Sequence, residues 1–549
     1  MDSYRYQLNI NSLLARTIYR RPRTEIVYGD KRYSWLQFYE RVRKLASSLE
    51  SLGVKKGTRV GVLDFDTHRY LELYYAVPMM GAVLHTVNIR LAPEHIAYTI
   101  DEAEDEVLMV RDDFLPLVSK LASSLKRVRT LVTMSDSGVA PSFTGSNAKF
   151  YDDLLESGDA GYTFREPDEN DIATIFYTSG TTGMPKGVWF THRQIVLHSL
   201  SSLVGFSMGP KQYSLEAGDV MMPVVPFFHV HCWGMPYNAG LLGSKFVLVG
   251  KYEPLKILEL VRREGVTFSA MVPSILNMVL NHPSVAEYKE ALSRWKVVIG
   301  GAALPRGLAV KAKMLGIRVM SGYGLSETAP VLTLATPSEQ HQNMSEDELL
   351  DRVLLKTGLP IPLVHLRVVD EAMNDVPRDS KTPGEIVVRT PWLTPGYYKD
   401  EKKSEELWRG GWLHTGDMAV VDEDGYITIV DRLRDAIRSG SEWISSVLLE
   451  DYISRHPAVV ESAVIGVKDE KWGERPLAVV YAKERVTEQQ LAEHLAKFVE
   501  EGKLAKFWIP DKFVVINEPL PKTSTGKIDK KPLREKFKSL DTITSESMA

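Results

Sequence analysis

Apolar residues at positions 36, 42, 45, 49 and 52 follow helical spacing. Ser34 with Gln37 forms a capping box ahead of them, and Gly53 supplies the stop. RVGVLDF (59–65) predicts a short buried strand, 70–80 a helix, and VLHTVN (83–88) a second strand. This order implies βαβ units and mainly parallel sheet. The pattern returns in DIATIFY (171–177), VTFSAMV (266–272), WKVVIG (295–300) and IRVM (317–320). Each run ends near Gly, Pro or hydroxyl residues. Ligands of open α/β sheets collect outside the carboxyl ends of strands, so chemistry is expected there.

The texture changes after about 384. GEIVVRT (384–390) and VVDEDGYITIV (420–430) predict antiparallel strands, the second with an Asp424-Gly425 hairpin turn. A small α+β unit is expected after Asp431, with strands at 462–467 and 477–482. Its helix begins at 487, capped by Thr487 with Gln490. No internal repeat or low-complexity linker interrupts the chain, and 136–147 is its most loop-like segment. The fold class is therefore α/β: a large multi-sheet N-terminal domain, 1–431, followed by a small α+β domain, 432–549.

Composition narrows the function without naming it. The 549 residues carry a net charge of −4, so no nucleic acid or anionic membrane is expected as partner. Cys232 is the single cysteine, which excludes an internal disulfide and a multi-cysteine metal site. The start, MDSYRYQLNI, has no leader pattern, and no apolar run reaches membrane-spanning length. The end, TSESMA, is a polar tail. A cytoplasmic protein is the expectation.

Candidate chemistry centres on YTSGTTGMPKGV (177–188). Its glycines and hydroxyl residues suit a polyphosphate, and Lys186 adds a mobile cation. It is not the G-x-x-x-x-G-K-[ST] loop, because Gly187 follows the lysine. His229, His231 and Cys232 crowd one apolar strand with poor spacing for a closed metal site. Read alone, Asp417 is a turn residue, Trp233 a core residue and Lys527 a solvated lysine.

The loop resembles the phosphate loop of the adenylate-forming enzymes, which include acyl-CoA synthetases, luciferases and peptide-synthetase adenylation domains. SGYGLSET (321–328), HTGD (414–417), DRLRDAIRSGSEWIS (431–445) and KTSTGKIDKKPLR (522–534) resemble the family's later motifs, in order and across nearly the whole chain. PFFHVHCWGMPY (226–237), KTGLPIP (356–362) and SEWISS (441–446) look most like the medium- and long-chain fatty acyl-CoA synthetases. The resemblance implies that a carboxylate attacks the α-phosphorus of ATP, giving acyl-AMP and pyrophosphate, and that the acyl group then passes to CoA.

It also implies roles for individual residues. Thr178, Ser179, Gly180, Thr181, Thr182 and Gly183 would cradle the phosphates with Lys186. Glu327 would hold Mg²⁺, assisted by Thr178, since a hard cation prefers oxygen ligands. Gly301, Ala302, Ser321, Gly322, Tyr323, Gly324, Ser326 and Thr328 would surround the nucleotide, with Tyr323 stacked on adenine. Asp417 would accept both ribose hydroxyls, helped by Arg432. His229 and Val230 would lie by the acyl-adenylate, and Trp233 would gate an acyl tunnel. The C-terminal domain would be a mobile lid hinged at Arg434. Its Lys527 would serve adenylation, and the Arg438, Gly440 and Trp443 loop would approach CoA.

Two departures bear on the lid. Arg434 and Arg438 stand where the family usually has lysines, and an arginine's planar fork makes different contacts. Ser441 replaces a glycine, which restricts positive φ in the loop facing CoA and bears on the thioester half-reaction. Fatty-acyl members often dimerise, so the resemblance allows a homodimer. Other readings stay open: a ligase for a short or hydroxylated acid, a luciferase, an adenylation domain acting in trans, or a non-catalytic acyl- or nucleotide-binding protein.

Overall fold

The computed structural model describes residues 6–140, 148–178, 184–433, 435–440, 442–523 and 528–537. Among these residues the strands form four sheets. In the first, Arg59–Leu63 lies parallel to Val83–Thr86 on one side and Val107–Arg111 on the other. Ile172–Thr178 extends it in parallel beside Val83–Thr86, and Lys186–Thr191 then returns antiparallel. Thr178 and Lys186, on either side of the glycine-rich stretch, thus belong to adjacent antiparallel strands.

The second sheet is parallel from Arg318–Gly324 through Lys296–Ile299, Phe268–Met271, Val220–Met221 and Lys245–Leu248 to Glu25–Tyr28. It gains antiparallel strands at both ends, at Val331–Leu334 and Lys31–Ser34. The third is an antiparallel run, His365–Val369, Gly384–Arg389, Leu413–Val421 and Ile427–Arg432. Its last hairpin turns at Gly425, where φ is 86°, as the Asp-Gly pair predicts. The fourth sheet, built from Ile437–Ser439, Glu442–Ile444, Val459–Asp469, Gly473–Ala482 and Lys512–Ile516, packs with helices Ser446–Ser454 and Glu488–Glu500.

Helix Trp35–Ser51 has both halves of its expected capping box, a device worth about 1 kcal/mol. Its buried stripe is Trp35, Phe38, Val42, Leu45 and Leu49. Leu36, expected on that stripe, is 41% exposed. It lies one position, about 100°, from Trp35, whose larger ring takes the core position and donates from Nε1 to the Ser244 carbonyl. Among the described residues no helix is long and apolar enough to cross a membrane.

Two buried histidines brace the centre of the large unit. His198 Nε2 accepts from the Val331 amide at 3.1 Å, and His231 Nε2 lies 2.6 Å from Thr174 Oγ1. Burial pushes both imidazoles down to about 3 from the usual 6.5 or so. Both are therefore neutral in the folded protein, and the unfolded chain takes up their protons first on acidification. Their contribution is fully present above about pH 6.5 and is lost as pH falls from there toward 3. His231→Gln is expected to flatten part of the fall in melting temperature between pH 7.5 and 5. Thermal melts at the two pH values check this, and an unchanged fall would contradict it.

Candidate active site

At the phosphate end, Thr178 and Lys186 are cross-strand partners that flank the mouth of the glycine-rich loop. Ser179, Gly180, Thr181, Thr182 and Gly183, expected to cradle the phosphates, lie outside the described residues. The Lys186 ammonium sits 4.5 Å from the centre of the Tyr397 ring. Tyr397 Oη in turn donates to Glu327 Oε1 at 2.7 Å. Burial of Lys186 beside a second cation, Lys403, lowers its affinity for a proton. Burial next to Glu327 raises that of Tyr397, so the phenol stays a donor. Glu327 is fixed from behind as well, since its carbonyl accepts from the Thr394 amide at 3.0 Å.

The nucleoside end is built where Arg318–Gly324 leaves the parallel sheet and pairs antiparallel with Val331–Leu334. Gly324 is required there, because a Cβ would lie 1.7 Å from the Pro330 carbonyl oxygen. Thr328 closes the following turn, and its carbonyl takes the Trp392 indole proton at 3.0 Å. Tyr323 Oη donates to Asp417 Oδ2 at 2.8 Å, while Arg432 Nε stands 3.3 Å from Oδ1. Asp417 is only 4% exposed and sits opposite Arg432 in the strand register. Ser321 Oγ is buried and has no partner among the described residues, a hydroxyl left for a ligand. Gly301, at φ 79°, and Ala302 are exposed beside this strand end.

The segment carrying His229, His231 and Cys232 is not the strand that the sequence suggests. Val230, His231, Cys232 and Trp233 all have positive φ, between 37° and 57°. Left-handed backbone costs about 1–2 kcal/mol for each non-glycine residue. Local bonds hold it: Cys232 N donates to the His229 carbonyl, Cys232 Sγ to the Val225 carbonyl, and His231 is tied to Thr174. These contacts also commit His231 and Cys232 to the interior. Among the described residues no group of three or more His, Cys, Asp or Glu can hold a metal ion. A single carboxylate such as Glu327 still suits Mg²⁺, which keeps several waters and phosphate oxygens as its other ligands.

The strained turn brings His229 and Trp233 to a cavity of about 50 Å³, which Val225, Tyr252 and Gly301 also line. The Trp233 indole is 7% exposed and packs on Gly300, where a Cβ would meet it at 2.9 Å. Val230 is buried in the core beneath. Farther along the chain, Gly440 has φ 64° and donates to the Trp472 carbonyl, while Arg438 lies over the Trp443 ring at 5.4 Å as its cross-strand partner. Arg434, Ser441 and Lys527 lie outside the described residues.

Three groups of expected site residues are thus brought together: Lys186 with Glu327, Tyr323 with Asp417 and Arg432, and His229 with Trp233 and Gly301. The Arg438, Gly440 and Trp443 group belongs to the fourth sheet. Tyr397 was not anticipated. Its only signal was the Pro395-Gly396 turn before two tyrosines, which says nothing of a partner 70 positions away.

Parallel sheets with glycine-rich strand ends, a carboxylate facing a lysine and a second carboxylate clamped by Tyr and Arg define a nucleotide-using α/β enzyme. Residues 14–398 match the AMP-binding enzyme family and 448–527 its C-terminal domain, so the chain belongs to the AMP-binding, adenylate-forming enzymes. It is 43% identical over 512 residues to a long-chain-fatty-acid–CoA ligase of Thermus thermophilus, covering 92% of this chain and 91% of that one. It is 38% identical to a 3-methylmercaptopropionyl-CoA ligase of Ruegeria lacuscaerulensis, with 97% of each chain covered. ATP-bound MatB from Rhodopseudomonas palustris superposes with a TM-score of 0.81 at 26% identity, over 96% of this chain and 99% of that one. The protein is an AMP-forming acid–thiol ligase that uses ATP and CoA.

Tyr397→Phe tests the phosphate end. It removes one charge-assisted hydrogen bond from Glu327 and keeps the ring under Lys186. The KM for Mg²⁺·ATP is expected to rise about 3- to 10-fold, the scale of one such bond, with little change in melting temperature. Steady-state kinetics over a Mg²⁺ titration checks this.

Proposed function

We propose that the acid is a medium- or long-chain fatty acid. The observation that carries the enzyme chemistry is the joint position of the Glu327–Tyr397–Lys186 group and the Tyr323–Asp417–Arg432 group about one strand end. In this reading Tyr323, Gly301 and Ala302 flank adenine, with Ser321, Gly322, Gly324, Ser326 and Thr328 around it. Asp417 and Arg432 take the ribose hydroxyls. Thr178 and Glu327 hold Mg²⁺, which would neutralise phosphate charge. Lys186 and the 179–183 loop hold the β- and γ-phosphates.

A carboxylate oxygen forms a bond to the α-phosphorus, and the bond from that phosphorus to the bridging oxygen breaks. The electron pair leaves on pyrophosphate. Lys527 would stand between carboxylate and α-phosphate, where preorganised charge has its largest effect on the transition state. The thiol of CoA then attacks the acyl carbon and AMP departs. Between the two steps the lid, 432–549, would turn about Arg434 and bring Arg438, Gly440 and Trp443 toward the thiol.

The similarity to a ligase named for long-chain fatty acids supports the choice of acid. A second reading, a short acid, is favoured by the small cavity at His229, which Trp233 closes. The similarity to a ligase named for 3-methylmercaptopropionate fits that reading too. A long chain would need the Trp233 side chain to swing aside.

Pyrophosphate release with acids of two to sixteen carbons, with and without CoA, separates the readings. Long acids should give the highest kcat/KM. Trp233→Ala should change the long-to-short ratio by on the order of tenfold and leave the KM for ATP nearly unmoved. A preference for short acids would favour the second reading. Unchanged selectivity with a large fall in melting temperature would mean that Trp233 is a packing residue, whose truncation costs about 3–5 kcal/mol.

A further inference from the structure

A second cavity, apart from the one at His229, lies beside Lys186. It measures about 320 Å³ and is lined by Tyr98, Lys186, Tyr397, Lys399, Asp400 and Lys403, among others. It adjoins the phosphate group directly, since Lys186 and Tyr397 belong to both. Its walls are fixed to one another. The Tyr398 amide donates to the Gly187 carbonyl at 2.8 Å, and Tyr397 bridges to Val188, so the 397–400 segment is stitched to the start of the Lys186 strand.

The charges of this cavity are unusual for an ordinary surface cleft. Three ammonium groups border it. Lys399 is bound to the Glu102 carbonyl and the Glu104 carboxylate. Lys403 leans on Asp400 at 2.5 Å, and both are partly exposed. The Lys186 ammonium lies over the Tyr397 ring, and Lys403 is near enough to disfavour its charge, while Glu327 and Asp400 favour it. Three lysines and two acidic residues, Glu102 and Asp400, thus line this space, with Lys186 and Lys403 on the side of the phosphate group. A compact polyanion carrying a divalent cation matches this lining: ammonium groups for its oxygens and Asp400 for the metal.

We propose that this cavity is an exit site for magnesium pyrophosphate, in which Lys403 and Lys186 receive the leaving group after it separates from the α-phosphorus. The proposal rests on the AMP-forming reading and goes beyond it by giving the product a separate resting place. Lys186 would hand the product from the nucleotide side to Lys403 by a swing of its side chain. The same chemistry fits the triphosphate tail of incoming ATP, and the experiment distinguishes the two.

The test compares Lys403→Gln and Lys403→Arg with the wild-type enzyme, using pyrophosphate and non-hydrolysable methylenediphosphonate as product-inhibition probes at saturating Mg²⁺. Lys403→Gln should raise the inhibition constant of both probes about 3- to 10-fold, the scale of one partly exposed charge-assisted contact. The KM for ATP should move less than about twofold, and Lys403→Arg should restore most of the probe affinity. Unchanged inhibition constants in a variant with wild-type melting temperature would overturn the proposal. So would a parallel rise in the KM for ATP, which would make this the ATP tail's own subsite. Should the wild-type enzyme release no pyrophosphate with any acid, the AMP-forming reading itself falls, and the exit site with it.

Discussion

Both oxygens of the Asp417 carboxylate are engaged across elements far apart in the chain. One accepts from Tyr323, at the end of the second sheet, and the other faces Arg432, on the last strand of the third. The aspartate is nearly sealed from water, so its charge is tolerable only while those partners stay in place. This clamp fixes the separation between the nucleoside wall and the strand that leads into the C-terminal unit. The following residue pairs sustain it: Asp431 accepts from the Ser446 amide at 2.7 Å, tying the first helix of that unit to the same strand. A ligand bound at Asp417 would therefore act on the junction as well as on the site.

The phosphate end follows a different logic. The glycine-rich stretch is bounded by two antiparallel strands, and a side-chain cation stands at the start of the second. That cation is Lys186, whose ammonium lies over the π-face of the Tyr397 ring. The Tyr397 hydroxyl meanwhile fixes Glu327. One aromatic residue thus touches both the Lys186 cation and the Glu327 carboxylate, the two groups proposed to hold the phosphates and their metal. The strained turn at 230–233 does similar work on the acyl side, where left-handed backbone aims His229 and Trp233 into one small cavity.

Local signals were legible in the sequence. The capping boxes at Ser34–Gln37 and Thr487–Gln490 form as expected, because their partners lie three residues apart. The hairpin at Asp424-Gly425 and the parallel pairing of Arg59–Leu63 with Val83–Thr86 follow for the same reason: short-range chemistry and period decide them. Leu36 was misjudged because an apolar residue beside a larger ring can be displaced from the stripe by one position. The left-handed turn at Val230–Trp233 was illegible, since nothing in those side chains favours positive φ and the contacts that impose it come from Thr174 and Val225. Tyr397 and Lys403 escaped notice because their meaning depends on Glu327 and Lys186, many residues away. The similarity of motifs supplied the site as a set, which no spacing within this one chain could have done.

In the proposed reaction the carboxylate of the acid attacks the α-phosphorus of ATP at the site between Glu327 and Asp417. Oxygen transfer tests it most directly. The acid is supplied with both carboxylate oxygens as ¹⁸O, with ATP, Mg²⁺ and CoA, and the products are read by mass spectrometry. One ¹⁸O is expected in each AMP and none in pyrophosphate, because the C–O bond breaks when the thiol attacks. Label in inorganic phosphate, with ADP as the nucleotide product, would contradict it.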